Sequence, residues 1–155
     1  MNLLPRDPEA PGNWQGSLPV TSRYTYGLAG ERFFRALKND GVLLGARCSR
    51  CQLTYVPARQ FCERCFDELQ DWNDVGTRGE VHAFTRLYVN LDGSPLAEPE
   101  MIAFVRIADG GFMHRLGEVD PEKIEIGMAV EAVLKPASER TGSILDIEHF
   151  RPTKA

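Results

Sequence analysis

The stretch ARCSRCQLTYVPARQFCERCF, residues 46 to 66, holds all four cysteines of the chain. Cys48 and Cys51 are separated by two residues, ten residues follow, and Cys62 and Cys65 repeat the pair. A tight turn lets two such thiolates grip one ion, and two turns complete a tetrahedron. Four thiolates leave no open position for water, so the pattern points to a closed structural zinc site and not to a catalytic one. Iron at the same thiolates, as in a rubredoxin-like electron carrier, is a rival reading, and a visible absorption band that bleaches on reduction would reveal it. Free thiols are another. Disulfides account for the cysteines poorly, because both bridges would fall within eighteen residues and leave most of the chain unstapled.

Cations surround this stretch. Between residues 32 and 64, Arg32, Arg35, Lys38, Arg47, Arg50, Arg59 and Arg64 face only Asp40 and Glu63, a local balance of +5 in a chain whose net charge is -4. Four thiolates around Zn²⁺ carry a net negative charge, and Arg47, Arg50, Arg59 and Arg64 are placed to offset it. The alternative is that some of these arginines contact a phosphate-bearing ligand or an acidic partner. The acidic total, with a pI near 5.4, weighs against a dedicated nucleic-acid binder.

Upstream, Leu28, Phe33, Phe34 and Leu37 fall on one face of a predicted helix over residues 28–38, with Arg32, Arg35 and Lys38 on the other and Asn39-Asp40-Gly41 as its stop. Two adjacent phenylalanines exceed what a small zinc module can cover. Phe33, Phe34 and Leu37 therefore pack on the remainder of the chain or form a surface for a second protein. Before the helix, Pro5, Pro8, Pro11, Gly12, Gly16 and Pro19 exclude regular structure, so residues 1–27 read as an extended arm that Trp14 and Leu18 could anchor. Around the first cysteine pair, residues 42–47 and 54–57 read as strands entering and leaving it. The expected organisation is thus an arm at 1–27, helix and zinc ribbon at 28–75, and a second module at 76–155.

That second module changes texture. Residues 80–89, 101–108, 111–119, 129–135 and 144–150 are rich in β-formers, with breaks at Asp92-Gly93-Ser94-Pro95, Asp109-Gly110-Gly111, Asp120-Pro121-Glu122-Lys123 and residues 136–142. Asp120 and Pro121 suit the N-cap and first position of one helical turn. Five short strands interrupted between the third and fourth match an oligonucleotide/oligosaccharide-binding (OB) barrel. The fold class is mainly β: an N-terminal helix and a four-cysteine zinc ribbon followed by a five-stranded OB-fold barrel.

Signals for catalysis are thin. His82, His114 and His149 sit singly in predicted strands, where a hydrogen-bonded structural role is the common case. No nucleophile elbow, paired-histidine metal motif, phosphate loop or dinucleotide fingerprint appears. No stretch approaches the about 20 apolar residues needed to cross a bilayer, and a cytoplasmic, non-membrane location is expected. A single-stranded nucleic-acid module, with Phe84, Tyr88, Phe104 or Phe112 stacking on bases, is the reading from another class; alternating strands make those aromatics core residues first.

The run FFRALKNDGVLLGARCSRC, then YVPARQFCERC, DVGTRGEVHAFTRLYV, IGMAVEAVLK and a late HFRP resembles the DUF35 family over residues 28–152. Its more specific marks are the cysteine spacing, Pro57 after the ribbon strand, Gly79-Glu80-Val81 and Ile126-Gly127-Met128. The resemblance implies a rubredoxin-like zinc ribbon plus OB fold, and a chain that accompanies thiolase-fold enzymes of acyl-CoA metabolism: thiolases, hydroxymethylglutaryl-CoA-forming systems, acyltransferases and steroid side-chain aldolases. It implies that the partner carries the catalytic residues, while this chain holds the complex together and shapes the acyl-CoA entrance. In size and layout the chain is also similar to the small subunit of the thiolase that cleaves benzoylsuccinyl-CoA in anaerobic toluene breakdown. Residues 98–104, EPEMIAF, and the proline-rich arm depart from the family pattern and leave the substrate open.

Overall fold

The computed structural model describes residues 25–90 and 92–153; the expected arm lies outside the described residues up to residue 24, Trp14 and Leu18 included. The chain begins with α1 (Gly27–Asp40), where Glu31 pairs with Arg35 one turn on and Lys38 lies in the last turn, beside the negative end of the helix dipole. Gly41 stops the helix in the left-handed region, φ 70°, with the Gly41 and Val42 N–H groups donating to Leu37 and Ala36.

A three-stranded antiparallel sheet follows, with β1 (Leu44–Cys48) in the centre between β2 (Leu53–Tyr55) and β3 (Asp71–Asp74). β3 has no signal in the sequence. Asp71-Trp72-Asn73-Asp74 is polar, and only Trp72 is half-buried, so the strand exists because β1 offers it an edge.

The remaining strands form a closed barrel in the order β4-β5-β6-β8-β7: β4 (Arg78–Val89), β5 (Pro95–Ile107), β6 (Gly110–Leu116), β7 (Ala129–Leu134) and β8 (Ile147–Pro152). The OB architecture stands as expected, including the single turn at Pro121–Lys123 capped by the Asp120 side chain on the Glu122 N–H. Two boundaries are corrected. The strand expected from Met101 begins at Pro95, because residues 95–100 lie beyond the reach of β6 and pair only with β4, where an edge proline is tolerated. The strand expected at 144–150 is a 3-10 turn at Ile144–Asp146 followed by β8, because Ser143 and Asp146 cap that turn reciprocally.

Two cores result. Phe33 and Leu37 of α1, with Leu43 and Val56, join Val81, Val105, Val130, Ile147 and Phe150 of the barrel. The Phe33 ring lies 5.8 Å from that of Phe112. The helix thus plugs the barrel, although in sequence it precedes the ribbon. The smaller core gathers Ala46, Tyr55, Ala58 and Leu69 around the cysteines. The two meet at the β5–β6 turn, where the Asp109 and Gly111 N–H groups donate to Thr54 and Val56 and the Asp109 carboxylate accepts from the Thr54 N–H at 2.8 Å. Gly110 is required there: a Cβ would overlap the Val56 carbonyl.

Candidate metal centre

The two cysteine pairs sit on matching turns. The Gln52 N–H donates to the Cys48 carbonyl at 2.8 Å and the Phe66 N–H to the Cys62 carbonyl at 2.9 Å. Gln52 and Phe66 both adopt left-handed backbone, φ 56° and 62°. The turns bring Cys48, Cys51, Cys62 and Cys65 together with all four sulfurs within 4.8 Å of one another, and Cys48 and Cys65 Sγ are 3.5 Å apart. A ZnS₄ tetrahedron with Zn–S bonds of about 2.3 Å has S···S edges of about 3.8 Å, so the donor set fits zinc.

Electrostatics makes the same point. The Tyr55 hydroxyl donates to Cys62 Sγ at 3.2 Å, and this contact, aided by the Cys65 and Arg64 N–H groups, holds the Cys62 thiol down at about 6. The same contact pushes Tyr55 up to about 12. At Cys65 a backbone N–H from Asp67 favours the thiolate but is outweighed by burial and the three neighbouring sulfurs, and the thiol rises to about 12. Four thiolates cannot coexist here without a cation between them. A bound zinc would cross-link the two turns, and its four protein ligands leave no place for a substrate.

The arginines sit around the site without touching it. Arg47 donates to Gln52 Oε1 at 2.6 Å, Arg50 lies 3.8 Å from Asp67, and Arg59 pairs with Glu63 and covers the Tyr55 ring. Arg64 lines a groove with Glu63, Arg106 and Asp109. Among the described residues no arginine donates to a sulfur; the N–H groups of the turns and Tyr55 do so instead, Cys51 to Cys48 Sγ at 3.3 Å for example. Because acids answer Arg35, Arg50 and Arg59, the basic patch does not form an uninterrupted track for phosphates. Of the aromatics considered for base stacking, Phe112 is buried and Phe104 half-buried, whereas Phe84 and Tyr88 are exposed.

Phe33 and Leu37 need correction as a surface for a second protein. Both are buried in the chain's own core, because the barrel end requires a plug, and of the three candidates only Phe34 keeps some surface. Sequence reasoning missed Tyr55 as a sulfur's hydrogen-bond donor, and Trp72, whose ring lies 4.9 Å from the Arg32 guanidinium and ties helix to ribbon. It also missed Asp146, which is fully buried and accepts from the Thr141, Gly142 and Ser143 N–H groups.

A four-cysteine ribbon followed by an OB barrel defines the class: a zinc-ribbon and OB-fold protein. Residues 35–70 match the rubredoxin-like zinc ribbon domain of ChsH2 and residues 72–135 its C-terminal OB-fold domain. The chain belongs to the DUF35 family. A DUF35 domain-containing scaffold protein of Methanocaldococcus jannaschii is 28% identical over 114 residues, covering 70% of this chain and 78% of that one. A scaffold protein of the same description from Pyrococcus furiosus is 28% identical over 125 residues, covering 79% and 91%. Among solved structures, a DUF35-family protein of unknown function from Sulfolobus solfataricus superposes with a TM-score of 0.60 at 26% identity, covering 81% and 84%. The Ltp2-ChsH2(DUF35) aldolase gives 0.59 at 24% identity, covering 84% and 98%, a likeness of fold. No described helix is long and apolar enough to cross a membrane.

Proposed function

We propose that this chain is the zinc-bearing, noncatalytic subunit of a hetero-oligomer whose other chain is a thiolase-fold enzyme acting on an acyl-CoA, and that it works in the cytoplasm. The observation that carries the reading is the closed sulfur set. The chain's four cysteines, its strongest nucleophiles, converge on one ion site, and the second cysteine turn carries exposed Phe61 and Phe66. Exposed aromatics on a rigid, cross-linked turn are suited to anchoring a partner. The scaffold description of the relatives and the pairing of ChsH2 with Ltp2 support a role in assembly. In this reading the partner supplies the reactive residues and this chain fixes the geometry of the acyl-CoA entrance. The thiolase that cleaves benzoylsuccinyl-CoA, whose small subunit is similar in size and layout, is one such enzyme to try as partner.

Co-expression with a candidate thiolase-fold chain tests the proposal. The two should elute together with one zinc per copy of this chain, and C–C bond cleavage in the acyl-CoA, or transfer of its acyl group, should require both. Phe66→Asp should weaken the complex while leaving the zinc in place. Turnover by this chain alone, or a partner fully active and stable without it, would refute the division of labour.

A further inference from the structure

The β4–β5 hairpin runs past the barrel. Pairing of β4 with β7 ends at Glu80, and beyond Val81, whose N–H and carbonyl bond the Met128 carbonyl and the Gly127 N–H, no described strand flanks β4 on that side. Residues 95–100 of β5 likewise have only β4 beside them. The far end is a two-stranded ribbon, mostly exposed on both faces, and such a ribbon is marginal in water on its own. Its two edges differ. The β5 edge is guarded by Pro95, Pro99, Glu98 and Glu100, residue types that deter strand addition. Over residues 83–89 the β4 edge has no proline and a single charge, Arg86, already bonded to Glu122 and the Pro121 carbonyl. Leu87, Tyr88 and Val89 are exposed along it.

Charge placement says what fits this edge. The acids of the hairpin, Asp92, Glu98 and Glu100, lie in the turn or on β5, so a second copy pairing β4 against β4 keeps the two acidic strands on opposite outer edges. Side-chain facing then limits the register. Phe84 and Arg86 lie opposite the buried Ala103 and Met101 and share one face, and Thr85 and Leu87 take the other. Two copies related by a two-fold axis through the sheet keep these faces matched only when a residue sits on the axis. Among axes at the middle of the edge, one at Arg86 would oppose two guanidinium groups. An axis at Leu87 opposes Leu87 with Leu87, Arg86 with Tyr88 and Thr85 with Val89, pairs that antiparallel neighbours favour.

We propose that this chain forms a two-fold dimer by pairing Thr85–Val89 of β4 antiparallel with the same residues of a second copy, which joins the two hairpins into one four-stranded sheet. The contact lies apart from the zinc ribbon with its exposed Phe61 and Phe66, so it does not rest on the thiolase-fold reading. Sedimentation equilibrium of the zinc-loaded full chain should show the mass rising from 17.4 kDa toward twice that, with a dissociation constant on the order of 10–100 µM for so small a contact. Leu87→Lys puts two ammonium groups on the axis and should weaken the dimer about tenfold, and Leu87→Glu should do likewise. Mixed in equal amounts, the two variants should pair again, with zinc retained throughout. A parent chain that stays monomeric up to about 500 µM, variants that associate as the parent does, or a mixture no tighter than either variant alone would overturn the proposal. So would a monomeric chain whose Leu87→Lys variant instead loses a co-expressed thiolase-fold chain, since the edge would then belong to that partner.

Discussion

Ribbon and barrel lie side by side in one chain and are stabilised by different means. The ribbon's core is made of small residues and sulfur, Ala46, Ala58, Cys48 and Cys62 beside Tyr55 and Leu69, under strands of three to five residues. Too little apolar surface is buried there to offset the entropy of ordering the chain, so a metal must make up the difference. The barrel borrows Phe33 and Leu37 from the helix and buries Val81, Val105, Val130, Ile147 and Phe150 around them. It needs no cross-link. One chain therefore contains a module whose fold follows metal supply and one whose fold follows packing.

The largest effect expected is the separation of the two by chelation. Removing zinc should unfold residues 44–74 and expose Tyr55 and Trp72, leaving the barrel strands protected against amide exchange. Near-ultraviolet circular dichroism and site-resolved exchange would read this out, and a single cooperative collapse of both modules would break the contrast. Phe33→Ala tests the converse. A fully buried ring lost from a packed core costs about 4 kcal/mol, and denaturant unfolding should report that loss in the barrel with zinc affinity unchanged.

Asp146 sharpens the contrast through pH. Burial alone would raise its pKa, but the Thr141, Gly142 and Ser143 N–H groups outweigh it, and the folded-state pKa lies below the ordinary carboxylate value. Its contribution is therefore complete above the unfolded pKa of about 3.9 and is lost as pH falls through the lower folded value. Asp146→Ala should cost about 3 kcal/mol at neutral pH by leaving buried N–H groups unsatisfied. That difference from the parent should shrink in acid melts, whereas a constant difference down to the folded pKa and below would exclude the carboxylate as its source.

These contrasts are unequally legible in the sequence. The metal site is written locally: two Cys-x-x-Cys turns specify their own geometry, and the four ligands can be named without knowing what surrounds them. The barrel strands are legible from β-former runs, but their ends are not. Pro95 reads as the end of a break because nothing local says that this part of β5 has a neighbour on one side only. The phenylalanine pair is visibly too apolar for the ribbon, yet which surface takes Phe33 depends on barrel closure, a property of residues as far along the chain as Phe150. Asp146 is invisible for the same reason: three N–H groups converge on it through a turn, and no composition signal marks that.

Where the modules touch, Gly110 should give a smaller effect. Gly110→Ala forces the Val56 carbonyl and the β5–β6 turn apart, at about 2 kcal/mol. Amide exchange at Asp109 and Gly111, which donate across the junction, should rise first, with zinc still bound and the barrel still folded.

The smallest change is the most local. Tyr55→Phe removes one hydroxyl, leaves the ring's packing under Arg59 intact, and deletes the donor that holds Cys62 as a thiolate. Loss of an outer hydrogen bond to a metal ligand weakens zinc binding by about tenfold. Because Cys62 must then be deprotonated from a higher pKa, the deficit should grow as pH falls from 8 to 6. A competition titration with a chromophoric chelator across that range would measure it. If the hydroxyl served packing alone, the Tyr55→Phe chain would hold zinc with the parent's pH dependence, and the metal centre would owe nothing to the strand that leaves it.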